Sequence, residues 1–361
     1  MAKITLLETI QSSRETILKL VDERKSNNKA AIEFISKEIP NFKEIVFVGS
    51  GSSLNEVRTA RSFIEKVTKK RVTFETSNDF INNHSVFETD NLYIFVSQSG
   101  TSTTTRIAQK RLKEMGCKNI CVSAFPLDNL GKETGVYVDS MCAHEAYYCV
   151  TLGFNASAVC LELLGLSIAE FLKTVSSEEV KEYEEDLRKA ADNYPALIDK
   201  TVSWYKKHEK ELNAAKYYAC YGPNDLWGVA IEFALKLQDV SRLFAVGYEL
   251  EDGMHGPCMS FGKDLCLFVL DDNTSETKRA KQLVRFGKEQ CSSGFLIGPN
   301  SYDENDLVVS PVSKHFQNIE MAPVVQTICC MLGETRNIDS TPQTGTKSVD
   351  EGYFNTHEEI K

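Results

Sequence analysis

The chain of 361 residues, 42% hydrophobic and 25% charged, has the balance of a globular protein and the length of two ordinary domains. Its net charge of −10, with no basic block longer than Lys69-Lys70-Arg71, excludes a protein that tracks a nucleic-acid backbone. Eleven scattered cysteines without a C-x-x-C pair signal neither a zinc site nor a disulfide framework. Together with an N-terminus that lacks the apolar core of a signal peptide, they predict a cytoplasmic protein with no membrane contact. The longest apolar stretch, around Leu161–Ala169, reads as too short to span a bilayer.

Residues 1–42 have helical periodicity, with Leu6, Ile10, Ile17, Leu20 and Val21 on one face. From 43 to 175 the pattern alternates. The apolar runs Ile45–Val48, Val72–Glu75, Leu92–Val96, Ile120–Ser123 and Val136–Val138 predict strands. Helices are predicted between them over 54–67 and 103–115, and a long apolar helix over 154–172 closes the half. Residues 176–213 are charged and helical, and read as a connector. A second round occupies 214–333, with strands at Tyr217–Gly222, Leu265–Leu270, Phe295–Ile297 and Val308–Val309. Helices are predicted there over 226–240 and 321–332, and residues 334–361 form a polar tail. Short apolar strands joined by helices imply parallel sheets covered on both faces, and the matching order of the two rounds implies an internal duplication.

Ligands of such sheets sit beyond the carboxyl ends of the strands. Two small-residue turns fall at such ends in the first round: Gly51-Ser52-Ser53 and Ser97-Gln98-Ser99-Gly100-Thr101-Ser102. Glycine permits close backbone approach, hydroxyls donate hydrogen bonds, and the following helix N-terminus favours an anion. A phosphate group is the expected occupant. The matching turns of the second round, Gly222-Pro223-Asn224-Asp225 and Asp271-Asp272-Asn273-Thr274, carry carboxylates that would repel it.

The paired motifs, Gly-x-Gly-Ser-Ser after a strand and Ser-Gln-Ser-Gly some 45 residues on, resemble the sugar isomerase (SIS) domain. With Glu232-Phe233-Ala234-Leu235-Lys236-Leu237 and Met254-His255-Gly256-Pro257 in the second round, the chain is similar to the isomerase half of glucosamine-6-phosphate synthase. Fructosamine-phosphate deglycases share the motifs. The resemblance implies an α/β fold of two tandem SIS domains, each a parallel sheet flanked by helices in a flavodoxin-like three-layer sandwich. It implies a phosphorylated sugar as ligand, held by Gly51, Ser52, Ser53, Ser97, Gln98, Ser99 and Ser102, with Glu145 opening a further motif and Tyr148 lining the sugar site. It implies no cofactor and no metal. His255 matches a ring-opening histidine that reaches the neighbouring subunit of a homodimer, and Lys347 matches a tail lysine that closes over the sugar carbonyl.

The family places a glutamate sixteen residues before that histidine, where this chain has Asp239. Aldose–ketose exchange needs a base that moves a proton between C1 and C2 and a group that shuttles protons among the oxygens. Asp239 is one methylene shorter than glutamate, roughly 1 Å of reach, and displacements of that size can cost about 100-fold in rate. Either the site is rebuilt around Asp239, or Glu232, Glu249 or Glu251 serves, or isomerisation is weak. Residue 2 is alanine where the synthases carry a nucleophilic cysteine, so the resemblance implies no use of glutamine by this chain. The expected activity is isomerase or deaminase chemistry on an amino-sugar phosphate, with a deglycase or a non-catalytic phosphosugar sensor as alternatives. His84, His208, His315 and His357 have no comparable setting and are expected to face solvent.

Overall fold

The computed structural model describes residues 4–125, 127, 129–147, 149–339 and 356–357. It divides into two compact units. The first comprises Glu15–Glu145, Leu152–Glu185 and Gly345–Lys361, and the second Met1–Arg14, Ala146–Thr151 and Asp186–Thr344.

The chain opens with the helices α1 (Leu6–Asp22) and α2 (Arg24–Glu38). The apolar stripe Leu6, Ile10, Ile17, Leu20 and Val21 is buried, as its period requires. Then follow β1 (Glu44–Gly49), α3 (Ser52–Thr68), β2 (Arg71–Thr76), α4 (Ser77–Asn82), β3 (Leu92–Val96) and α5 (Thr103–Glu114). The first sheet is completed by β4 (Asn119–Ser123) and β5 (Tyr137–Asp139), with α6 (Asn129–Thr134) between them and α7 (Leu152–Leu172) after them. Helices α8 (Ser177–Asp192) and α9 (Tyr194–Ala214) occupy the charged segment.

The second round runs through β6 (Tyr217–Gly222), α10 (Leu226–Asp239), β7 (Phe244–Glu249) and β8 (Leu265–Leu270), with two short 3-10 turns at Asp252–Met254 and Pro257–Ser260. It ends with α11 (Thr277–Gln290), β9 (Ser293–Gly298), β10 (Leu307–Val308) and α12 (Gln317–Thr335). Two sheets of five parallel strands result. Their orders are β2-β1-β3-β4-β5 and, read in the same sense, β7-β6-β8-β9-β10. The two rounds therefore repeat strand for strand, which supports the duplication. Central strands β3, β4, β8 and β9 are buried along their whole length, while the edge strands β2 and β7 are half-exposed. That difference is the physical basis of the apolar runs in the sequence.

Strand β7 and helix α11 are not visible in the apolar pattern. In β7 the alternation is broken by Gly247, where an added Cβ would lie 2.6 Å from the Cα of Ile231 in α10. The glycine lets the helix backbone lie against the strand, at the expense of a readable strand signal. Helix α7 has 21 residues and a composition long and apolar enough to cross a membrane, longer than the stretch read from the sequence. Its apolar window is entirely buried, so it serves as the core helix of the first unit. It packs against α3, where Gly165 lies against Ile64.

Candidate functional site

The order of the first sheet reverses between β1 and β3, so the crevice for a ligand lies beyond their carboxyl ends. Both small-residue turns are there. In the β1 turn, Gly51 is the N-cap of α3 at φ +59° and ψ −135°, a backbone shape reserved for glycine. Its carbonyl accepts from the N–H groups of Leu54 and Asn55 at 3.0 and 3.1 Å, and Ser52 and Ser53 open the helix half-buried.

In the β3 turn, Ser97 is buried and its N–H donates to the Val122 carbonyl at 3.1 Å. Gly100 sits at φ +65° and its N–H closes the turn on the Ser97 carbonyl at 3.1 Å. Ser99 Oγ accepts from both the N–H and the hydroxyl of Thr101, at 3.2 and 2.9 Å. Ser102 is the N-cap of α5 but makes no side-chain cap bond. Its hydroxyl instead accepts from Thr105 Oγ1 at 3.1 Å, and Ser77 Oγ lies 2.9 Å from that same Thr105 oxygen. A chain of hydroxyls at a helix N-terminus can donate to an anion without carrying any charge.

Gln98 is held from behind. Its Nε2 donates to Glu145 Oε2 at 3.3 Å, and Glu145 accepts the backbone N–H groups of Leu152 (3.1 Å) and Gly153 (2.8 Å). Glu145 thus caps α7, a use of a carboxylate at a helix N-terminus that needs no ligand. Tyr148, expected to line the sugar site, lies outside the described residues.

The second sheet has the same crevice between β6 and β8, and there the carboxylate fills it. Asp271 is fully buried. It accepts from Thr277 Oγ1 at 2.6 Å, from the N–H and Nδ2 of Asn300 at 3.1 and 2.9 Å, and from Asn273 N at 3.4 Å. Asn224 in the β6 turn donates to Asp272 at 2.7 Å. The carboxylates of this turn would repel a phosphate. In the structure Asp271 also consumes the donors.

Three charged groups of α10 lie on one helix face, spaced four and three residues apart. Lys236 Nζ is 2.5 Å from Asp239 Oδ2 and 3.4 Å from Glu232 Oε1. Lys236 and Glu232 are fully buried, while Asp239 at the helix end is a quarter exposed. Asp239 Oδ1 has no hydrogen-bond partner among the described residues. Burial opposes the charge on Lys236, but the carboxylates of Asp239 and Glu232 outweigh it and raise the ammonium above its ordinary value. Cys149 Sγ donates to the Asp239 carbonyl at 3.2 Å. Glu232 and Asp239 are therefore brought together, with Lys236, which the resemblance also matches to a charged residue of this helix, between them.

His255 stands apart. It is 73% exposed, in the loop between the two 3-10 turns, with Nε2 3.4 Å from Glu251 Oε1. Glu251 also pairs with Arg279, and Glu249 Oε2 accepts the N–H groups of Glu251 and Asp252 at 2.8 Å each. Lys347 lies outside the described residues. Two histidines expected in solvent are not there: His208 is buried against Trp204 and Phe295, and His84 is tucked beside Glu75 and Phe80. His357 is exposed, but its Nδ1 is 2.9 Å from Thr101 Oγ1 in the β3 turn.

No family model matches the chain. Among curated proteins it is similar to the glutamine–fructose-6-phosphate aminotransferase [isomerizing] of Corynebacterium diphtheriae. The two are 22% identical over 349 residues, 93% of this chain and 56% of that protein. The chain spans about half the length of the curated relatives it matches. Among solved structures, a protein of Clostridium difficile 630 described as a phosphosugar isomerase superposes with a TM-score of 0.88 at 21% identity, covering 98% of this chain and 100% of that one. The C-terminal domain of glucosamine-fructose-6-phosphate aminotransferase from Francisella tularensis gives 0.83 at 18% identity, covering 93% and 97%. Likeness over nearly the whole length gives the chain the doubled parallel-sheet fold of these structures, and its sequence is similar to about half of glutamine–fructose-6-phosphate aminotransferase.

Proposed function

We propose that the chain binds an amino-sugar phosphate and interconverts its aldose and ketose forms. The observation that carries this is the pair of Gly/Ser turns at the ends of β1 and β3, which offers neutral donors at two helix N-termini on either side of the sheet's switch point. The first unit holds the phosphate through Ser52, Ser53, Ser97, Gln98, Ser99 and Ser102. Asp239, with one oxygen fixed by Lys236 and the other without a partner among the described residues, is the base that moves the proton between C1 and C2. Glu232 pairs with Lys236, and Lys236 pairs with Asp239. His255 opens the sugar ring, and its exposed loop suits presentation to the neighbouring subunit of a homodimer. Lys347 polarises the carbonyl, and the protein works in the cytoplasm.

A thermal-shift panel of hexose, hexosamine and fructosamine phosphates tests the binding. A ligand at 100 times its dissociation constant adds about 2.7 kcal/mol of stability. Conversion of glucosamine 6-phosphate and fructose 6-phosphate, followed by NMR, tests the chemistry. Binding without turnover of any of these would replace the enzyme by a sensor, and no binding would remove the phosphosugar reading.

A further inference from the structure

The N–H of Thr103 is the first donor of α5, directly after the Ser102 N-cap. It is the group a phosphate at this helix end would meet first. In the structure that N–H donates to the carbonyl of Thr356 at 3.1 Å, and the next residue, His357, places Nδ1 2.9 Å from the Thr101 hydroxyl. Thr101 and His357 are 256 positions apart, so these bonds are no consequence of local chain geometry. A carbonyl oxygen with its lone pairs on a helix N-terminal N–H stands in the chemical place of a phosphate oxygen.

We propose that Thr356-His357 is an internal occupant of the phosphate turn, which the phosphate of a sugar monoester displaces when it binds. This rests on the reading of that turn as a phosphate site. A neutral carbonyl accepts a weaker hydrogen bond than a charged oxygen does, so a phosphate monoester wins the exchange. An uncharged sugar brings no acceptor strong enough to win it. The segment thereby raises selectivity for phosphorylated over free sugars, and lowers apparent affinity by the fraction of time the turn is filled.

The test compares the full chain with one ending at residue 355, which keeps Lys347, using fructose 6-phosphate and inorganic phosphate in calorimetric titrations. The shortened chain should bind both about 3- to 10-fold more tightly. His357→Ala, which removes one of the two bonds, should give a smaller gain in the same direction. Without ligand, amide exchange at Thr103 should quicken in the shortened chain while the inner amides of α5 keep their rates. Equal or weaker binding after shortening, or unchanged exchange at Thr103, overturns the displacement and leaves the phosphate turn standing. Failure of both chains to bind fructose 6-phosphate removes the phosphate reading, and the displacement with it.

Discussion

Asp271 accepts two hydrogen bonds from Asn300, one from the backbone N–H at 3.1 Å and one from the side-chain amide at 2.9 Å. It is the first residue after β8, as Ser97 is the first after β3, and the two strands hold the same place in sheets of the same order. Where the first turn keeps hydroxyls, the second has built its anion in. Asp271→Ala removes that buried anion and leaves the half-buried donors of Thr277 and Asn300 without it, at about 1 kcal/mol for each hydrogen bond lost. Urea unfolding should show a loss of roughly 3 kcal/mol, and sulfate should restore part of it where potassium chloride of equal ionic strength does not. A variant as stable as the parent, or one that sulfate leaves untouched, would show that the carboxylate merely fills space.

The α10 triad should be unforgiving toward loss of its cation. Lys236→Met leaves Asp239 and Glu232 without their buried partner, and breaking a buried pair in this way costs about 3–5 kcal/mol. The pH dependence has a definite sign. Because the folded value of Lys236 lies above its ordinary 10.5, its stabilising contribution is complete below that pH and disappears only as pH climbs through the raised value. Chemical unfolding between pH 7 and about 10 should therefore show no decline traceable to this residue in the parent protein. A steep loss of the Lys236-dependent difference within that range would contradict the paired geometry.

Binding and turnover should separate by residue. Asp239→Asn keeps the volume of the side chain but removes the proposed base, and should lower isomerisation by about 10²–10⁴-fold with fructose 6-phosphate affinity changed less than about 2-fold. Ser99→Ala should do the reverse, weakening fructose 6-phosphate binding about 5- to 10-fold through a lost hydroxyl. Steady-state kinetics alongside calorimetry distinguishes them. Full turnover by Asp239→Asn would move the base to another carboxylate.

Thiol chemistry should report the packing. Burial pushes the thiols of Cys121, Cys142 and Cys266 up to about 12, and ten of the eleven cysteines are buried. Only Cys258, on the second 3-10 turn beside His255, is partly exposed. A chromogenic disulfide reagent at pH 8 should label Cys258 quickly and the remaining ten only on unfolding, with mass spectrometry to locate the label. Rapid modification of several thiols in the native protein would mean that the sheets open far more readily than their burial indicates.

Most of the architecture was legible because strands buried on both faces leave continuous apolar runs, as in Leu92–Val96 and Leu265–Leu270. What stayed hidden lacks that signature. Phe244–Glu249 is an edge strand with Phe244 in solvent and a glycine at its helix contact. Helix α11 buries Ala280, Leu283, Val284 and Gly287 at helical spacing, but lysines and arginines surround that narrow stripe. The turn from Ser97 to Ser102 at the end of β3 could be read because its small residues are contiguous. Its contact with His357 could not, since nothing in a sequence joins residues 256 apart. The same limit applies to Asp271: its charge was plain, but the ring of donors around it comes from Thr277 and from Asn300, 29 positions on.

The bond from Gln98 to Glu145, whose carboxylate also grips two amides of α7, has a thermodynamic consequence for the ligand. It fastens the floor of the turn to the most deeply buried helix of the first unit, so the donors are already aimed before any sugar arrives. Little conformational entropy then remains to be lost there on association, and a modest number of neutral hydrogen bonds can suffice to hold a small, strongly hydrated dianion. Adaptability is left to whatever contacts the sugar ring. On the proposed function, a scaffold of this kind can change which carbon chain it accepts without first having to relearn how to hold a phosphate.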